Sequence, residues 1–173
     1  MAKPEDPGRP GPAAAPRVAE MVAATSEPFY LGSEPTEITL EIHAPTGPAL
    51  LRDGQAEKGV QREVYLYIEN FWCMKPAPPF RVYLNVPPGD IPEKHPELAV
   101  GNLASFGLVK QSDPHGPNGG NGMSFTVDIT DDIARLLAAK NWDSRRLRVT
   151  FTPGFWEDPV PAVKVGRVSL YFK

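Results

Sequence analysis

A single cysteine, Cys73, among 173 residues leaves no partner for an intramolecular disulfide, so the core rather than covalent staples must hold the fold. Histidine is almost as scarce. His43, His95 and His115 lie far apart, with no HxxxH or HExxH spacing to set two imidazoles on one helical face. No apolar run approaches the roughly 20 residues that span a bilayer. The start, MAKPEDPGRPGPAAAPR, lacks the apolar core of a signal peptide. A reducing, cytoplasmic setting without a membrane partner is therefore expected. Positive charge is also sparse: 18 Lys and Arg against 21 Asp and Glu give a net charge of -3. Only Arg145, Arg146 and Arg148 cluster, on or beside a strand, too few to neutralise a run of phosphates. Nucleic-acid binding is not expected. The Gly-rich run from Ser112 to Gly122 has no GK[ST] behind it and leads into a strand, so it is no phosphate loop.

Proline and glycine are abundant instead, with 21 and 15 residues. Between their turns, apolar residues alternate with polar ones, the period that puts one face of a strand on a core. The sets are Ile38/Leu40/Ile42, Val64/Leu66/Ile68, Val82/Leu84/Val86, Phe125/Val127/Ile129, Leu147/Val149/Phe151 and Val168/Leu170/Phe172. The run from Leu98 to Leu108 reads as a further strand, with Gly101 marking a bulge or a close approach. The Val64 and Val82 segments flank a short proline-rich connection and read as a paired hairpin. Thr130 is placed to cap one short helix, with Asp131 and Asp132 at its positive end and Ile133, Leu136 and Leu137 on its apolar face. That helix is expected to end near Asn141. The count predicts an all-β fold: an antiparallel, jelly-roll-like β-sandwich of about seven strands with one short helix.

Residues 1–27 read as a Pro/Ala-rich linker or flexible arm, and 28–173 as the sandwich domain. Five prolines fall in the first 17 residues, a composition that orders poorly and points to a segment once lying upstream. Residues 18 to 35 hold Met21, Val22, Phe29, Tyr30 and Leu31, which are available to dock as an arm. Pro45 to Gly59 reads as a loop. A monomer is the expected state.

Few residues suggest chemistry. Cys73 and Met74 are soft ligands that suit Cu(I), with His115 as a third donor, although a lone buried cysteine is commonly a small hydrophobe. Three histidines do not build a six-histidine dicopper centre. Asp113, Asn118 and Asn121 offer oxygens for calcium and equally are ordinary turn residues. Trp72, Trp142 and Trp156 form either a sugar-stacking platform or closures of the core ends. Asp128, Asp131 and Asp132 form an acidic cluster, two of which a helix N-terminus accounts for, and no acid-base pair stands out.

In order along the chain, VYLYIENF (64–71), PFRVYLNV (79–86), HPELAVGNLASFGL (95–108), HGPNGGNGMSFTVDITD (115–131), LRVTFTP (147–153) and VKVGRVSLYF (163–172) resemble the C-terminal domain of tyrosinases and polyphenol oxidases, the type-3 copper oxidases. The family's Lys-Phe-Asp-Val motif is matched at Pro79-Phe80-Arg81-Val82, where Phe and Val agree and both charged positions differ. EMVAATSEPFYLGSEPTEITL resembles the linker that precedes this domain in bacterial members. The resemblance implies a non-catalytic accessory sandwich that packs over a dicopper catalytic domain, in the same or a separate chain, and shields or inhibits it. Copper is then expected only in that partner, with no cofactor in this chain. One side chain of such a domain plugs the entrance, and Phe71, Trp72 and Phe155 are the candidates here. Two alternatives belong to other classes: a stand-alone carbohydrate-binding module, or a small copper carrier.

Overall fold

A computed structural model describes residues 18–43 and 63–173. The proline-rich start and the Pro45–Gly59 loop lie outside the described residues. Ten strands are present among the described residues, all in antiparallel pairs. The first sheet has the order β1-β10-β4-β7, from β1 (Glu20–Ala24), β10 (Arg167–Phe172), β4 (Val64–Phe71) and β7 (Met123–Asp128). The second has the order β3-β8-β5-β6, from β3 (Thr36–Glu41), β8 (Arg146–Pro153), β5 (Phe80–Leu84) and β6 (Ala99–Leu103). A two-stranded ribbon joins β2 (Phe29–Leu31) to β9 (Val163–Val165). Two α-helices are also present among the described residues, α1 (Leu108–Ser112) and α2 (Thr130–Ala138).

Alternation explains the layers. Leu66, Ile68 and Phe71 of β4, Phe80, Val82 and Leu84 of β5, and Val149, Phe151, Val168 and Leu170 face inward, none more than 1% exposed. Burying side chains of this size contributes roughly 1.5–3 kcal/mol each. The intervening Tyr65 and Tyr67 face outward, and Tyr67 meets Tyr171 edge-on at 6.4 Å. The all-β sandwich read from the sequence is borne out, with β1, β2 and β9 beyond the seven strands expected. β1 lies inside the stretch read as an arm. Val22 and Ala23 are buried there, and the strand pairs with β10, so the sheet begins at Glu20.

Three local expectations differ from the structure. The Val64 and Val82 strands do not pair with each other. β4 lies between β10 and β7, and β5 between β8 and β6, in opposite sheets. Alternation fixes which face a strand buries but not which strand it pairs with. The connection 72–79 crosses between the layers, and Phe71 and Phe80 at its two ends meet edge-on inside the core at 6.0 Å. The 98–108 run is a strand only to Leu103 and then turns into α1. Gly101 meets both readings offered for it: the β5–β6 register shifts between Val82 and Tyr83, and a Cβ on Gly101 would lie 3.2 Å from Val127 of the other sheet.

The N-cap position of α2 is Ile129, not Thr130, and no side chain caps it; Asp128 instead ties down the first helical residue. Asp128 Oδ1 accepts the Thr130 amide at 3.0 Å and the Thr130 hydroxyl at 2.6 Å, while Thr130 Oγ1 accepts the Val64 amide. The helix closes with Lys140 in the left-handed region (φ 56°), the Asn141 amide reaching Leu136 O and the Lys140 amide reaching Leu137 O. That double closure is a Schellman motif built without glycine.

Candidate functional site: an aromatic end of the sandwich

Strand register brings several loops to one end of the molecule. Phe80 at the start of β5 is level with Leu103 at the end of β6 and with Pro153 at the end of β8. The connection into β5, the turn after β6 and the loop after β8 therefore emerge together. Each is held by a hydrogen bond to its neighbour. Ser105 Oγ donates to Ala77 O at 2.6 Å, and the Gly154 amide to Pro79 O at 2.7 Å.

Phe106 stands at the tip of this end. The Leu108 amide closes onto Ser105 O at 3.0 Å, and Gly107 has φ 79° and ψ 0°. Those are the angles of the third residue of a type II turn, a place that favours glycine, and they put Phe106 at the second. Its side chain is 96% exposed. Phe155 follows Gly154 in the β8–β9 loop and is 89% exposed. Met74, in the crossing connection, is 44% exposed. Large apolar groups held out this far by hydrogen-bonded loops mark a surface suited to a partner.

The Ser112–Gly122 segment braces the same end. Trp72 Nε1 donates to Ser112 O, the Cys73 amide to Ser112 Oγ, and the Gly122 amide to Gln111 O, each at 3.0 Å. Gly122 has φ 74°, and a Cβ there would lie 2.3 Å from Phe71 O, so only glycine fits. Asp113 accepts the His115 amide, Asn118 donates to Gly122 O, and Asn121 donates to Asn118 O. The loop's side chains serve its own turn.

Of the residues singled out in the sequence, Phe155 keeps the exposure that shielding requires. Phe71 does not: it is 0% exposed and packs edge-on against Phe80 and Phe125, with no surface to offer a partner. Trp72 is half-buried, its indole N–H engaged. Phe106 was missed because ASFGL reads as the tail of a strand, although Phe-Gly at a turn was the available signal. Cys73 is buried at 3% exposure, its Sγ 3.4 Å from the Lys75 amide, while Met74 points away into solvent and His115 is exposed. His95 lies between Asp90 and Glu97. Among the described residues no three His, Cys, Asp or Glu side chains come together as metal ligands, and the scattered histidines do not fit a copper centre. The tryptophans do not form one platform: Trp72 and Trp156 belong to the aromatic end, and Trp142 follows α2 at the other. Among the described residues no helix is long and apolar enough to cross a membrane.

Residues 18–173 match the family described as a domain of unknown function, DUF7868. The chain belongs to that family. This DUF7868 chain is also 30% identical over 154 residues to a tyrosinase of Hahella sp., covering 88% of the chain and 32% of the tyrosinase. A latent aurone synthase, a polyphenol oxidase, shares its fold with a TM-score of 0.55 at 15% identity, over 86% of this chain and 25% of the enzyme. Latent apple tyrosinase matches with a TM-score of 0.50 at 22% identity, over 84% and 27%. The chain thus spans about a third of the curated tyrosinase and about a quarter of each solved enzyme. The tyrosinase relationship expected from the sequence is borne out, and the matched region of the solved enzymes is their C-terminal domain.

Proposed function

We propose that this DUF7868 domain is a non-catalytic accessory domain of a tyrosinase-like polyphenol oxidase. It packs its aromatic end against a dicopper phenol-oxidising domain, in the same or a separate chain, and shields the entrance to that site. The observation that carries the reading is the pair Phe106 and Phe155, exposed on braced loops at one end of the fold. Exposed aromatics on pre-ordered turns cost little entropy on docking and are the residue type that dominates interface energies. Partial coverage of the tyrosinase supports a domain that works beside a larger catalytic part. Both solved enzymes compared above are described as latent, which fits a shielding role. Copper belongs to the partner on this reading, since this chain's own ligands are scattered or buried.

Complex formation tests the reading. The chain and the dicopper domain encoded with it, expressed separately and mixed, should co-elute on size exclusion. Phe106→Ala with Phe155→Ala should abolish co-elution while leaving the thermal transition of the free chain unchanged. Separate elution of the wild-type domains contradicts it.

A further inference from the structure

Two peptide bonds in the Ser112–Gly122 loop carry a chemistry of their own. Of the six asparagines in the chain, only Asn118 and Asn121 precede glycine. A glycine has no side chain to keep its backbone nitrogen away from the asparagine's side-chain carbonyl, and asparagine is among the thermolabile residue types. The glycine nitrogen bonds to Cγ while the Cγ–Nδ2 bond breaks, and ammonia leaves with the amide proton. Water then opens the resulting succinimide ring at either carbonyl, giving aspartate or isoaspartate. One water enters and one ammonia departs, and no oxidant or cofactor is needed.

The fold treats the two sites differently. The Asn121–Gly122 peptide group is tied to two other elements. Asn121 O accepts from Asn70 Nδ2 of β4 at 3.1 Å, and the Gly122 amide donates to Gln111 O of α1 at 3.0 Å. Gly122 is buried against Phe71 O, so this peptide has no room to swing. The Asn118–Gly119 group is held from within the loop. The Gly119 amide reaches Gly116 O at 3.2 Å, and Asn118 O accepts from the Asn121 amide at 3.1 Å and from Asn121 Nδ2 at 3.0 Å. Both residues are exposed, and a Cβ on Gly119 would meet nothing within 4 Å. Opening a local turn costs far less than detaching a loop from a strand and a helix. The Asn118 side chain also has a task, because its Nδ2 donates to Gly122 O. A carboxylate in its place would turn an acceptor toward an acceptor.

We infer that Asn118 is a site of spontaneous modification, converting to aspartate and isoaspartate in the folded chain while Asn121 is protected, and that the conversion loosens the loop that braces Trp72. The inference does not depend on the accessory-domain reading. The test incubates the free full-length chain in warm, mildly alkaline buffer, folded and in urea, and follows each site by peptide mapping with mass spectrometry. In the folded chain Asn118 should convert at least about tenfold faster than Asn121, and in urea the two should convert at similar rates, since both precede glycine. Asn118→Asp installs one of the products directly. It should lower the melting temperature by about 2–4 °C, the shift expected for one lost hydrogen bond in a domain of this size. Three results overturn the inference: conversion of Asn121 that matches or exceeds that of Asn118 in the folded chain, an Asn118 left intact there while the urea-unfolded chain converts, or an Asn118→Asp melting temperature equal to that of the wild type.

Discussion

Phe71 and Phe106 show how little the residue type says about the role of an aromatic. Phe71 sits in the core against two other rings, and Phe106 stands in solvent on a turn. Phe71→Ala should therefore destabilise the domain by about 3–5 kcal/mol, the usual cost of truncating a core phenylalanine. Phe106→Ala should change stability by less than about 0.5 kcal/mol. Urea unfolding of both variants checks the pair, and a Phe106 cost in the core range would mean that the side chain is packed. The sequence made the buried alternation plain because the core needs a period of two. It could not mark Phe106, because exposure there depends on a glycine dihedral angle. Nor could it separate Phe71 from Phe155, since both follow a strand-like run and only the third dimension shows which one the opposite sheet covers.

At the scale of elements, the Asp128–Thr130 contact at the start of α2 and the Pro87–Leu98 strap respond to pH. The Thr130 hydroxyl and amide hold the Asp128 carboxyl below its ordinary value of 3.8. A depressed carboxyl contributes stability that is present above 3.8 and lost as the pH falls through the folded-state value. Asp128→Ala should remove that acid-side loss and cost about 1 kcal/mol near neutrality, the usual net value of an intramolecular hydrogen bond. Thermal melts from pH 2 to 7 read both effects. In the strap, His95 Nε2 lies 2.9 Å from Asp90 and Nδ1 lies 3.2 Å from Glu97. Asp90 first and Glu97 second raise the imidazole above 6.5. Only the imidazolium donates from both nitrogens. This contribution is therefore full below 6.5 and is lost as the pH rises through the raised folded-state value. His95→Gln should flatten the dependence of melting temperature on pH above 6.5, and an unchanged profile would show that the clasp contributes nothing. The helix itself was legible from Ile133, Leu136 and Leu137. Its start was not, because the Thr130 hydroxyl that would cap it is taken by the Val64 amide and by Asp128.

Across the whole molecule, the chain alternates between layers where a hairpin was expected. The Trp72–Pro79 crossing joins the two sheets, and the same crossing carries Ala77 and Pro79, whose carbonyls brace the Phe106 and Phe155 loops. One connection thus links the core to the exposed end. The class and seven of the ten described strands were readable from periodicity and turns. Pairing was not, because β4 and β5 bury equivalent faces and only contacts distant in sequence decide their partners.

The central claim is that this end covers a phenol-oxidising site, and inhibition tests it most directly. The rate of phenol oxidation by the dicopper domain is measured while the wild-type chain is added, and again with the Phe106→Ala, Phe155→Ala double variant. The account predicts saturable inhibition by the wild-type chain and at least tenfold weaker inhibition by the double variant. A rate unaffected by the wild-type chain at saturating excess, or inhibited equally by both chains, would contradict it.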